Sequence, residues 1–154
     1  MQEALGRAER LRDLAFDRGL VEHKTDAPGR AAPSQTDILV LATDPLGNRV
    51  VLAVEGKVDE GFDQPIAKWL SAGKSPNSAA NRRRRLDDML VDLGIDPHTE
   101  GIDTLPYQLV HRGWAALREA ADQMATRGVF VVHSFTQPGA KDRAGPSSSA
   151  SPSC

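Results

Sequence analysis

A chain of 154 residues, 40% of them apolar, has room for one domain with a real hydrophobic core. Its 19 Lys and Arg against 21 Asp and Glu give a net charge of −2, which argues against a tight, nonspecific grip on DNA by the monomer. The single Cys, at position 154, excludes an internal disulfide framework or Cys-based zinc site and fits a reducing cytoplasm, while no window resembles a transmembrane helix or a signal peptide.

Residues 2 to 18 are predicted to form a charged helix, because Leu5, Ala8, Leu11, Leu14 and Ala15 recur at three- and four-residue spacing before Gly19. Leu20 to Thr25 reads as a short strand, and residues 26 to 35, with Pro28, Gly29 and Pro33, as a loop. Residues 36 to 58 form the organising hairpin. Two apolar runs, Asp37 to Ala42 and Val50 to Val54, flank a turn made of Asp44, Pro45, Leu46, Gly47 and Asn48. The runs show little polar alternation, so both faces of the hairpin are expected to be covered.

The register of this hairpin carries the main functional inference. A turn centred on Leu46 sets Asp37 opposite Glu55, and the strand period of two puts Lys57 on the same face. Two carboxylates facing each other across a strand pair repel unless something compensates, either a divalent cation or Lys57. A slip of one residue would separate the acids onto opposite faces.

After the hairpin, Pro65 opens a helix on which Ile66, Trp69 and Leu70 share a face. A second helix is predicted from about Ala79 to Leu93, with Leu86, Met89, Leu90 and Leu93 inward and Gly94 ending it. Asp103 or Thr104 caps a third helix, which has Pro106 in its first turn and runs to about Thr126. Its expected buried stripe is Leu109, Ala116, Leu117, Ala120 and Met124, with Gly113 admitting another backbone. Val129 to Phe135 is the last strand, and the Ser/Pro/Gly-rich stretch 137–154 is expected to be a disordered tail to a single domain of residues 1–136. This order gives an α/β or α+β domain, a small mixed sheet flanked by helices.

Four consecutive arginines, Arg82 to Arg85, point around most of a helix circumference and read as a solvated face from which one or two side chains can still reach a DNA backbone. Trp69 and Trp114 read as packing anchors, His133 as a buried, hydrogen-bonded histidine and His111 as structural. Tyr107 is the aromatic expected near a substrate.

Asp37, the triplet Glu55-Gly56-Lys57 and the element order together resemble the PD-(D/E)XK nuclease superfamily, the restriction-endonuclease-like fold. Gln108, in the run YQLVHR, stands where many relatives carry a polar residue at the start of the following core helix. More narrowly, the stretches EHK, SQTD, AVEGKVDE, YQLVHR and VHSF, spanning residues 20 to 136, resemble a bacterial family of unknown function assigned to that superfamily. The resemblance implies a phosphodiesterase dependent on Mg²⁺ or Mn²⁺ that acts on nucleic acid, in the first place DNA. Asp37 and Glu55 would hold the metal, Lys57 would serve the attacking water, and Gln108 would support Lys57 or a phosphate oxygen. With no evident DNA-binding module, specificity would come from a homodimer, a protein partner or the shape of the substrate. The sequence departs from the pattern in two places: Thr36 rather than Pro precedes the acid, and the acid often found on the first helix has only Glu3, Glu9 and, on the first strand, Glu22 as candidates. The alternative is a catalytically inactive binding or assembly protein that keeps the fold.

Overall fold

The structure, a computed structural model, describes residue 11 and residues 13–27, 32–58 and 61–135. Three strands come first: β1 (Ala15–Thr25), β2 (Ser34–Thr43) and β3 (Arg49–Val58). Helices α1 (Ile66–Ser71) and α2 (Pro76–Asp92) follow, then a 3₁₀ turn (Ile102–Thr104), α3 (Tyr107–Asp122) and β4 (Arg127–Phe135). The strands lie in the order β1-β2-β3-β4. The first three form an antiparallel meander, and β4 joins β3 in parallel. A parallel return needs a long crossover, which the helical segment supplies. The domain is therefore a mixed α/β domain of the α+β kind. Among the described residues no helix is long and apolar enough to cross a membrane.

The β2–β3 turn is built by Asp44. Its Oδ1 accepts the backbone N–H groups of Leu46 and Asn48, both at 2.9 Å, and Gly47 takes φ +81°, a conformation that glycine adopts without strain. Every pair from Thr43–Arg49 to Ile38–Val54 is centred on Leu46, which is the register expected from the turn. Among the described residues both faces of the hairpin are covered at its turn end, where Ala42 and Val50, paired on the face opposite Val51, are buried, but farther from the turn coverage becomes one-sided, contrary to expectation. Leu39, Val51 and Ala53 pack against Ala116 and Ala120 of α3, whereas Ile38 is 42% exposed and Leu52 and Val54 are half-buried.

A second cluster forms where α1 and α2 meet the first half of α3, with Ile66, Trp69, Leu86, Met89, Leu90 and Trp114 at its centre. Ser75 starts α2 by accepting the N–H of Ser78, with Pro76 in its first turn, so the helix begins three residues before the predicted Ala79. Trp69 and Trp114 are core residues, as expected. The arginines before Leu86 are not simply a solvated face: Arg82 and Arg85 both lie over the Trp69 ring at 5.0 Å, Arg83 pairs with Asp87, and Arg84 is exposed.

Four further expectations are corrected. The predicted helix over 2–18 cannot extend past Leu14, because β1 begins at Ala15; residues 1–10 and 12 lie outside the described residues. The ladder with β2, bulged between Phe16 and Arg18, wins over a weak helical periodicity. On α3 the inward residues include Val110, Trp114, Ala115 and Glu119, while Leu117 is 40% and Met124 81% exposed. The helix packs against the sheet on one side and α1 and α2 on the other, so its buried arc is wider than one stripe; it also ends at Asp122, before Met124. A Cβ on Gly113 would meet only Leu93 Cδ2, at 3.9 Å; the close backbone approach is at Gly128, where a Cβ would stand 2.7 Å from the Ala116 carbonyl oxygen. His133 is exposed rather than buried, since it pairs with Gly56 on the sheet face opposite Glu55, Lys57 and α3. The expected tail, 137–154, lies outside the described residues.

Candidate functional site

The site is assembled at the end of the hairpin farthest from its turn. Strand period places Val51, Ala53, Glu55 and Lys57 on the face that α3 covers, and the last two carry that face from apolar to charged. Glu55 is 4% and Lys57 8% exposed. Burial of two charged groups at a sheet end requires partners, and they come from the helix as well as the strand.

Gln108, in the first turn of α3, brings its Nε2 to 2.6 Å from Glu55 Oε1. That turn is fixed by the chain just before α1: the Tyr107 N–H donates to the Gln64 carbonyl, and the Ile66 N–H to the Leu105 carbonyl. Gln108 Oε1 in turn accepts the Asp63 N–H at 3.4 Å, so the amide bridges β3 to this loop. Lys57 Nζ lies 3.4 Å from Glu55 Oε1, with its ammonium 5.9 Å from the centre of the Phe62 ring.

Asp37 sits on the other strand of the hairpin. The β2–β3 ladder is regular up to Ile38–Val54; beyond it, the Gly56 N–H donates to Asp37 Oδ2 at 2.8 Å. The exposed Asp37 carboxylate thus lies against the backbone between Glu55 and Lys57. The repulsion expected between the two acids is relieved separately: Asp37 by a backbone N–H, and Glu55 by Lys57, Gln108 and a further residue.

That further residue is Arg112, which sequence reasoning did not single out. Its Nε lies 3.2 Å from Glu55 Oε2, and its Nη1 donates to the Ser34 hydroxyl at 2.7 Å. The signal was present in the spacing, because Gln108 and Arg112 are four apart on a helix and share a face. The same face continues to Glu119, which is 6% exposed. Glu119 Oε1 accepts the Thr25 hydroxyl at 2.7 Å and lies 2.9 Å from His23 Nε2. A polar seam therefore runs between α3 and the sheet, from Lys57 and Glu55 through Arg112 and Ser34 to Thr25, Glu119 and His23.

Tyr107, expected near a substrate, is 7% exposed and stacks on Trp69, ring centres 3.8 Å apart and planes within 8°. His111 also stacks on Tyr107, ring centres 5.4 Å apart. Burial, with Arg112 and Arg85 nearby, lowers the pKa of His111 to about 4, so it is neutral at pH 7. Both rings brace α3 against the helical insertion. Of the acids considered as further ligands, Glu22 is exposed on β1 with φ +52°, and Glu3 and Glu9 lie outside the described residues.

Among the described residues no group of three or more His, Cys, Asp or Glu side chains is arranged to hold a metal ion. Among the described residues the candidate carboxylates are Glu55, paired with Lys57, and Asp37, on the Gly56 N–H. Their all-oxygen chemistry suits a hard cation such as Mg²⁺, which keeps several of its waters. Glu55 Oε2 is buried and, among the described residues, accepts no hydrogen bond, its contact with Arg112 being an ion pair of poor angle. One oxygen of this buried carboxylate is thus left with coordinating capacity, while the Asp37 carboxylate lies on the Gly56 side of the strand.

Fold and site together define a mixed α/β domain with a buried ionic cluster where one helix crosses the end of a hairpin. The chain belongs to the family described as a domain of unknown function, DUF6946, whose model matches residues 1–143. No curated protein and no solved structure matches it.

Proposed function

We propose that this protein is a Mg²⁺- or Mn²⁺-dependent phosphodiesterase of the PD-(D/E)XK kind, acting on nucleic acid. The observation that carries the proposal is the gathering of Asp37, Glu55, Lys57 and Gln108 at one end of the hairpin, linked through the Gly56 N–H and Glu55 Oε1. The order of a three-strand meander, a helix and a parallel fourth strand supports the same superfamily core. Asp37 and Glu55 would hold the ion. When bound, it would supply a Lewis acid for the phosphoryl oxygens and a source of hydroxide near neutral pH. Lys57, held by the strand next to Glu55, orients the attacking water and offsets the negative charge that grows on phosphorus. Gln108 fixes the Glu55 carboxylate from the helix side, so the acid is constrained by two separate elements. A net charge of −2 points to a partner, a second copy or substrate shape as the source of specificity.

A second reading has its own observation. Glu55 is already neutralised by Lys57 and Arg112, as an ion-paired strand end in a non-catalytic binding or assembly protein would be. Thermal unfolding with and without millimolar Mg²⁺ or Mn²⁺ separates the two. A cation at a hundredfold excess over its Kd stabilises the folded state by about 2.7 kcal/mol. The nuclease reading expects an upward shift in wild type that is absent in Asp37→Ala. No shift in wild type, together with an Asp37→Ala protein at least as stable, would overturn it in favour of the second reading.

A further inference from the structure

We infer that Arg112 is a positioning residue of this same site, the counter-cation that holds Glu55 in the metal-free protein and yields Oε2 to a divalent ion. The inference rests on the metal-binding reading above. It starts from how the two oxygens of Glu55 are shared. Oε1 receives Gln108 at 2.6 Å and Lys57 at 3.4 Å, whereas Oε2 faces Arg112 Nε at 3.2 Å. Both atoms of this second contact are buried, and among the described residues neither is in a hydrogen bond. A carboxylate and a guanidinium normally meet in aligned, charge-assisted hydrogen bonds, often two at once. Here the charges are paired while the geometry is poor, which makes Oε2 the weakly committed oxygen.

Arg112 also has somewhere to stay when that contact opens. Its Nη1 is anchored on the hydroxyl of Ser34, a fully buried residue, so the guanidinium keeps one good hydrogen bond after leaving Glu55. Lys57 has less freedom, being fixed to the same strand as Glu55 and 8% exposed. Electrostatics requires such an exchange. A divalent ion entering beside two monovalent cations already within 4 Å of the same carboxylate meets strong repulsion at reduced dielectric, and moving one of them away removes much of it. Gln108 and Arg112 then divide the work along one helix face: the amide keeps the carboxylate in place, and the guanidinium balances its charge until metal arrives.

The test is Mn²⁺ binding to the intact chain, followed by titration calorimetry and the Mn²⁺ spin-resonance signal, for wild type, Arg112→Met, Arg112→Gln and Arg112→Lys. Removing the counter-cation should tighten Mn²⁺ binding about tenfold or more in the Met and Gln variants, while Lys, which keeps the charge, stays near wild type. Their metal-free Tm should fall and their metal-induced rise in Tm should exceed that of wild type. Gln, which keeps a neutral polar group near the position of Nε, covers the case in which the Met variant does not fold. Unchanged or weaker binding in both, with wild type binding Mn²⁺, would overturn this role for Arg112 and leave the metal site standing. No binding by any of the four proteins would overturn both.

Discussion

At the scale of single residues, the seam between α3 and the sheet combines charge with burial, and its members should respond differently to mutation and pH. His111 is neutral in the folded protein because burial, aided by Arg112 and Arg85, brings its pKa from 6.5 to about 4. The unfolded chain therefore binds more protons than the folded one between these values. Stability should be full above pH 6.5, decline as pH falls below it, and stop declining near pH 4. From pH 7 to pH 5 the loss should be about 2 kcal/mol, read from urea unfolding at the two pH values. In His111→Phe, which keeps a ring on Tyr107, this part of the pH dependence should vanish; an equal slope in both proteins would refute the assignment. Glu119 has a plainer role. It is buried and satisfied by Thr25 and His23, so Glu119→Ala, which leaves the Thr25 hydroxyl without its acceptor, should lower stability by about 1–3 kcal/mol without changing Mn²⁺ affinity.

At the scale of elements, α3 is the shared wall of the structure, and two glycines near it test how it packs. Gly128 opens β4 beneath α3, where any Cβ would press on the Ala116 carbonyl at 2.7 Å. Neither backbone can give way without disturbing helix or sheet, so Gly128→Ala should cost about 1–3 kcal/mol. Gly113 sits inside α3, and an added Cβ there would meet Leu93 Cδ2 at the ordinary distance of 3.9 Å. Gly113→Ala should therefore gain up to about 1 kcal/mol from helix propensity alone. Opposite shifts of the urea midpoint, with unchanged slope, are the expected result. Reading the sequence alone assigned the close approach to Gly113. A glycine inside a helical pattern and one at the start of a strand differ only in what lies across from them, and local sequence does not carry that.

At the scale of the whole molecule, two hydrophobic clusters meet on α3. Trp114 and Ala115 belong to the cluster with α1 and α2, while Ala116 and Ala120 belong to the cluster with the sheet. Because one rigid helix serves both, the insertion and the sheet should unfold together. Leu90→Ala in the first cluster and Leu39→Ala in the second, both fully buried, should each cost about 2–5 kcal/mol. Each should also shift a single transition seen identically by far-ultraviolet dichroism and tryptophan fluorescence. Two separate transitions in either variant would show that α3 does not couple the clusters.

The sequence by itself determined the hairpin and its register, because Asp44, Gly47 and Asn48 fix a turn by local hydrogen bonds and backbone conformation, and everything paired outward from Leu46 follows. It also determined that Glu55 and Lys57 share a face, that Ile66, Trp69, Leu86, Met89 and Leu90 point into a core, and that Gln108 opens a helix, since these depend on periods of 2 and 3.6. It did not determine where the first strand begins, since Ala15 to Gly19 suits either state and the pairing with β2 decides. Nor did it reveal which arc of α3 is buried, because that depends on helices and strands far away in the chain. Arg112 shows the limit most clearly. Its spacing from Gln108 was legible, but its place against Glu55, 57 residues earlier, and Ser34, 78 residues earlier, exists only once the crossover has laid α3 across the sheet.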